Sequence, residues 1–303
     1  MAILKLASVC PLMRLANPAA NLQTLARWAE KAAAAGANLV LFPEMFVSGY
    51  ATMEMCEKGF ADKDRFLATA EPIPGPSTER LVALSRRRKV SLCAGLLERD
   101  GGRLFNTQFI ITPELGLLGR YRKVQVGAVE SWFSEPGGEF PVFDVGGIPT
   151  GIMICRDKSH PEVARILALE GALLILNPHC TTDTPRMRFT DWSLRLCVAR
   201  AMENGCYLIA NNPVFDCPIE PEEQAGFTLA IDPYGRVIHC DAPPGDTEKM
   251  AIITIDTGIV RERREMEGEH FNLWSRTPSA YRRLVEPRNE GTPESRRKML
   301  GER

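Results

Sequence analysis

The nine residues Gly36 to Glu44, "GANLVLFPE", return in the second half of the chain as "GALLILNPH", residues 171–179. Both follow the order Gly-Ala-x-Leu-apolar-Leu-x-Pro. A short apolar run with leucine at every second position, closed by proline, reads as a strand buried on both faces. Each copy is preceded by a helical pattern. Before the first, Asn17-Pro18 reads as an N-cap with proline at the first helical position, followed by Leu22, Leu25, Ala29 and Ala32 or Ala33 at helical spacing and by Gly36 as the stop. Before the second, "PEVARILALEG" opens after Pro161. Two similar βαβ-like halves therefore predict a pair of facing sheets with helices outside them.

Working outward, residues 77–89 read as a helix and "VSLCAGLLER" as a strand. "FNTQFIIT" and "LLGRYRKV" form a hairpin around Pro113 to Gly116, and "FPVFDV" precedes the strand that ends at Cys155. Residues 188–203 read as an amphipathic helix. "CYLIANNP", "FTLAIDPYGRVI" and "MAIITID" read as later strands. Helices and strands interleave without a low-complexity linker, which predicts one α/β domain over residues 1–285. From about residue 259 the chain becomes highly charged, and 286–303 reads as a solvated tail or an arm gripping a partner subunit.

Composition narrows the function. Hydrophobic residues make up 45% and charged residues 25%, ordinary for a soluble globular chain, and the net charge of −1 gives no electrostatic case for nucleic acid or an anionic membrane. No apolar run approaches the ~20 residues of a membrane helix. The opening "MAILKLASVC" reads as a first strand rather than a secretory signal. The nine cysteines are scattered, with no CxxC pair, so neither a disulfide framework nor a zinc cluster is indicated. Reduced thiols in a cytoplasmic protein are the simplest reading.

One cysteine differs from the rest. In "GIMICRDKSHPE" (151–162) an apolar strand ends in Cys155 and switches at once to Arg-Asp-Lys. Ser159-x-x-Glu162 has the form of a capping box for the following helix. Glu44 and Lys123 ("YRKV") also stand at the ends of apolar strands, where open α/β folds place their sites. A desolvated carboxylate can act as a base, an ammonium can support an oxyanion, and backbone N–H groups after Cys155 can complete the oxyanion hole.

The segments "LFPE", "YRKV" and "GIMICRDKSHPE", in this order and at these separations, resemble the nitrilase superfamily of carbon–nitrogen hydrolases. "RAMENGCYLIANNP", "GFTLAIDPYGRVI" and "ESWFSEPGGEFPVFDV" extend the resemblance over nearly the whole chain. It implies a four-layer αββα sandwich with two facing mixed β-sheets and a homodimer or higher homo-oligomer built by stacking sandwiches. It further implies Glu44 as general base, Lys123 as the lysine supporting the oxyanion, Cys155 as nucleophile and Glu130 as an additional glutamate. Arg156 takes the position whose backbone N–H faces the oxyanion. The implied reaction is attack by Cys155 on a carbonyl or nitrile carbon, loss of ammonia or amine, and hydrolysis of a thioester, with no metal or organic cofactor.

Departures from the family pattern bear on substrate. Val124-Gln125-Val126 replaces the common His-Leu-Pro, and Thr228 stands where the Gly-x-Ser segment has serine. Arg156-Asp157 resembles amidases and carbamoylases, whereas nitrilases favour Trp-Glu. Lys158 takes the position where amino-acid carbamoylases carry an arginine for the substrate carboxylate, and "RERREMEGEHFNLWSRTPSAY" resembles that branch too. His179, the counterpart of Glu44 in the repeat, is a further candidate for the same pocket. The expected substrate is a small amide or N-carbamoyl compound bearing a carboxylate. The rivals are a nitrilase and a binding or scaffold protein that kept the fold without turnover.

Overall fold

The computed structural model describes residues 1–50, 63–127, 130–182, 188, 192–216, 224–241 and 245–285. The expected tail at 286–303 and the start of the helix expected from 188 lie largely outside these. The chain lays down β1 (Ile3–Cys10), β2 (Leu12–Met13), α1 (Pro18–Ala34), β3 (Leu39–Leu41), α2 (Lys63–Leu67), α3 (Pro76–Arg88), β4 (Ser91–Asp100), β5 (Arg103–Thr112) and β6 (Gly116–Arg122). The second half holds β7 (Val142–Val145), β8 (Ile148–Ile152), α4 (Pro161–Leu169), β9 (Leu174–Pro178), α5 (Ser193–Asn204), β10 (Tyr207–Asn212), β11 (Val214–Phe215), β12 (Phe227–Ile231), β13 (Val237–Cys240), β14 (Lys249–Asp256) and α6 (Thr257–Met266).

Two six-stranded sheets result, ordered β14-β1-β3-β4-β5-β6 and β13-β12-β10-β9-β8-β7. β1, β3 and β4 run parallel, as do β10, β9 and β8, while the outer strands pair antiparallel. Both sheets are thus mixed, as expected. β2 and β11 add a small parallel ribbon.

Alternation along each strand sorts side chains into three interlayer cores. Leu39 and Leu41 of β3 meet Leu174 and Leu176 of β9 in the core between the sheets, with Leu6, Ile152 and Ile209. The opposite face of β3, Val40 and Phe42, packs under α1 and α3 through Leu25, Ala29, Leu81 and Leu84. The opposite face of β9, Ile175, packs under α4 and α5 through Val163, Leu167, Cys197 and Ala201. Helix, sheet, sheet, helix is the order of layers. Each leucine buried in these cores contributes about 1.5–3 kcal/mol.

Local signals explain the boundaries. Asn17 Oδ1 accepts the Ala20 N–H at 3.2 Å, with Pro18 opening α1. The capping box expected at Ser159 does not form. His160 is the N-cap residue of α4, without a side-chain cap bond, because Pro161 at the first helical position already removes one N–H that would need a partner. The polar turn before it is organised by Asp157 instead.

Candidate active site

Glu44, Lys123, Cys155 and His179 each follow the carboxyl end of a strand: β3, β6, β8 and β9. The two copies of the repeat meet at those ends, where the Glu44 N–H donates to the His179 carbonyl at 3.2 Å. Gly95 makes room for the turn after Glu44. A Cβ there would stand 2.2 Å from Gln108 Oε1 and 2.9 Å from the Met45 nitrogen.

Lys123 Nζ donates to Glu44 Oε1 at 2.7 Å and to Glu130 Oε2 at 2.5 Å. These three side chains are 1%, 0% and 1% exposed respectively. Asn106, on β5, bridges the same two carboxylates, donating from Nδ2 to Glu44 Oε1 at 2.7 Å and to Glu130 Oε1 at 2.6 Å. The Gly127 N–H adds a bond to Glu130 Oε2 at 3.0 Å. Glu44 Oε2 has no hydrogen-bond partner among the described residues. The nearby glutamates behave differently: Glu135 and Glu139 are exposed, and Glu135 pairs with Arg103 at 4.0 Å.

Burial pushes the Glu44 carboxyl above its ordinary value against the pull of Lys123. Burial alone would push Lys123 down, but the carboxylates of Glu130 and Glu44 more than reverse it and hold the ammonium well above its usual range. Cys155 lies in the field of this cluster. Burial, then the charge of Glu44, push its thiol up to about 11, opposed by Lys158 and Lys123. The sulfur therefore rests as a thiol.

Cys155 is held at φ +44°, in the left-handed region, and so is Met45, next to Glu44, at φ +48°. Such a conformation costs about 1–3 kcal/mol in a residue with a Cβ and persists where the surroundings enforce it. Asp157 supplies much of that enforcement around Cys155. It is fully buried and accepts from the Ile154 N–H at 2.7 Å, the Gln125 N–H at 2.9 Å and the Tyr121 hydroxyl at 2.7 Å. The Arg156 side chain is exposed, and its backbone N–H has no acceptor among the described residues. Lys158 is 3% exposed; its Nζ donates to the Cys155 carbonyl at 3.3 Å and has no carboxylate partner among the described residues.

His179 is buried in contact with the edge-on ring of Phe227, its Nε2 2.7 Å from Asn177 Oδ1. Tyr50, packed against Phe133, feels the charges of Glu130, Glu44 and Cys155. Among the described residues no group of three or more His, Cys, Asp or Glu side chains could hold a metal ion.

No motif of the sequence marks Asn106, Tyr50, the Tyr121 hydroxyl or the organising role of Asp157. Asparagine inside a strand is disfavoured, so Asn106 in "FNTQF" was the available signal. Among the described residues, this arrangement offers a carboxylate with one free oxygen and an ammonium with one N–H still uncommitted, both acting electrostatically on the Cys155 thiol.

A family model, carbon-nitrogen hydrolase, matches residues 2–265. The chain is 31% identical over 254 residues to a nitrilase of Pyrococcus abyssi, covering 82% of this chain and 88% of that protein. It is 30% identical over 260 residues to an omega-amidase of Xenopus tropicalis, covering 81% and 86%. The fold is similar to that of an amidase from Nesterenkonia sp. AN1, with TM-score 0.72 and 23% identity over 93% of this chain and 97% of that one. It is similar again to a carbon-nitrogen hydrolase from Helicobacter pylori G27, with TM-score 0.75 and 20% identity over 94% and 99%. With its two mixed sheets between helical layers and this match along most of its length, the chain belongs to the carbon–nitrogen hydrolase family of the nitrilase superfamily.

Proposed function

We propose that the chain hydrolyses the C–N bond of a small, carboxylate-bearing amide or N-carbamoyl compound through a thioester on Cys155. The observation that carries this reading is the buried bonding of Lys123 to both Glu44 and Glu130, whose charges reach Cys155, among the described cysteines the one held at positive φ.

The Sγ proton passes to Glu44 Oε2, the oxygen left without a partner, as sulfur bonds to the substrate carbon. The carbonyl π pair moves onto oxygen, which accepts from the third Lys123 N–H and from the Arg156 backbone N–H. When the intermediate collapses, the C–N bond breaks and nitrogen takes the proton from Glu44, leaving as ammonia or amine. Water then yields a proton to Glu44 and attacks the thioester, and the departing thiolate recovers that proton. Glu130 and Asn106 hold the acid and the amine in register throughout. A raised carboxyl value suits the exchange, because a more basic carboxylate takes the thiol proton more readily.

Lys158 supports the anionic substrate. A buried ammonium without a carboxylate partner is costly, and a substrate carboxylate would compensate it. The Arg156-Asp157 pair and an omega-amidase relative fit an amide rather than a nitrile, while the nitrilase relative keeps the nitrile reading in view. A glutamate variant of the Nesterenkonia amidase carries the acetamide moiety of fluoroacetamide covalently at its active-site cysteine, which fits the same role for Cys155. The described cysteines are free thiols, which fits a reducing cytoplasm. Exposed Leu169 and Met202 on the outer helices offer apolar surface for a second copy in a homodimer.

Ammonia release from monoamides of dicarboxylic acids, N-carbamoyl amino acids, neutral amides and nitriles tests this proposal. The anionic amides or carbamoyl compounds should turn over with the highest kcat/KM. Faster turnover of nitriles, or equal turnover of neutral amides, would overturn the substrate class.

A further inference from the structure

The ring of His179 has a defined proton. Asn177 Nδ2 donates to the Met153 carbonyl at 2.7 Å, so its Oδ1 is the acceptor end. The Cys197 thiol also donates to that oxygen, at 3.5 Å. The His179 Nε2 facing Oδ1 at 2.7 Å must therefore carry the hydrogen. Burial, with the charges of Lys158 and Lys123, pushes the imidazole well below its ordinary value, so the ring is neutral. A neutral ring protonated on Nε2 presents a bare lone pair on Nδ1. That nitrogen is buried and has no partner among the described residues.

Buried acceptors without donors are uncommon in native proteins. This one sits on a residue whose carbonyl takes the Glu44 N–H, just past the end of a strand that Asn177 ties to Met153, two residues before Cys155. A lone pair repels a carbonyl oxygen, an ester oxygen or a carboxylate, and attracts an N–H. We propose that His179 Nδ1 accepts an N–H of the scissile amide or ureido group and so selects nitrogen as the leaving atom. This rests on the amide or carbamoyl reading given above. Held in this way, the nitrogen fixes which face of the carbonyl meets Cys155. The bond strengthens as nitrogen gains a proton, and it is lost when the product carboxylate replaces the amide.

The test pairs two substrates with one acyl group, succinamate and monomethyl succinate, on the wild type and on His179→Phe, which keeps a ring against Phe227 but offers no acceptor. The amide-to-ester ratio of kcat/KM should fall by about 10- to 100-fold in the variant, as expected when a desolvated N–H loses its acceptor. A ratio within about twofold of wild type would overturn the proposal. A simple loss of structure would lower both substrates together. A second measurement therefore uses Cys155→Ala protein labelled with 15N-histidine. The His179 Nδ1 resonance should be that of a bare nitrogen and should move upfield with succinamate but not with the ester. A protonated Nδ1, or no movement with succinamate, would overturn it. If wild type forms a thioester with both substrates and the ratio is unchanged, only the role of His179 falls. If neither substrate reacts with Cys155, the hydrolase reading falls with it.

Discussion

β3 and β9 carry the same motif and end in opposite chemistry. Leu39 and Leu41 on one, Leu174 and Leu176 on the other, fill the same core between the sheets, and a proline follows the second leucine by two residues in both. Beyond the proline, Glu44 is a carboxylate tied to Lys123 and Asn106, whereas His179 is a neutral ring tied to Asn177. The two ends touch through one backbone bond. Repeated packing thus builds the frame twice, and the single residue after each proline sets what that end can do. A charged end needs a counterion because burial penalises it; a neutral end needs only hydrogen bonds.

The largest effect should come from making the charged end neutral. Glu44→Gln keeps the shape but removes the base, and kcat should fall by about 10³-fold. The pH profile sharpens this point. In the proposed mechanism Glu44 works as a carboxylate; burial raises its value, and the base form is therefore lost at a higher pH than in an exposed glutamate. The acid limb of kcat/KM should lie above the ordinary 4.5. A limb at or below that value would separate Glu44 from the rate. Removing the counterion should be felt in folding: Lys123→Met leaves two buried carboxylates without their cation and should cost about 3–5 kcal/mol in denaturant unfolding. An unchanged midpoint would mean that the charged end is stabilised otherwise.

The shared part of the comparison calls for equal effects. Leu41→Ala and Leu176→Ala, both fully buried between the sheets, should each cost about 2–5 kcal/mol. Losses differing by more than the range of that estimate would show that the halves do not share one core equally. The smallest effect should follow Tyr121→Phe, which removes one of three bonds to Asp157. About 1 kcal/mol of stability should be lost, with a modest drop in kcat as the turn at Cys155 loosens. Full activity and stability would leave the other two bonds sufficient.

The frame was legible because period-two leucines and helix stops are local signals, readable from "GANLVLFPE" alone. The meeting of Lys123 with Glu44 and Glu130, in electrostatic reach of Cys155, was expected from their ordered motifs. Asn106 was not, because its importance lies in bonds to Glu44 and Glu130, far away in the chain, and an asparagine in a strand announces nothing about its partners. The turn after Cys155 was misread for a related reason. Ser159 and Glu162 had the right spacing for a cap, but Asp157 reaches back to the Ile154 N–H and across to Tyr121, which no local pattern reports. The neutral state of His179 likewise depends on burial and on the charges of Lys158 and Lys123, and its tautomer on Asn177.

The central claim, that the sulfur of Cys155 takes the acyl group from nitrogen, is tested most directly by quenching the enzyme in acid during turnover of an amide it accepts and mapping the intact adduct by mass spectrometry. The acyl mass should appear on the peptide containing Cys155, disappear with hydroxylamine, and be absent in Cys155→Ala, which should fold normally and release no ammonia. Steady turnover by Cys155→Ala, or an adduct confined to another cysteine, would contradict it.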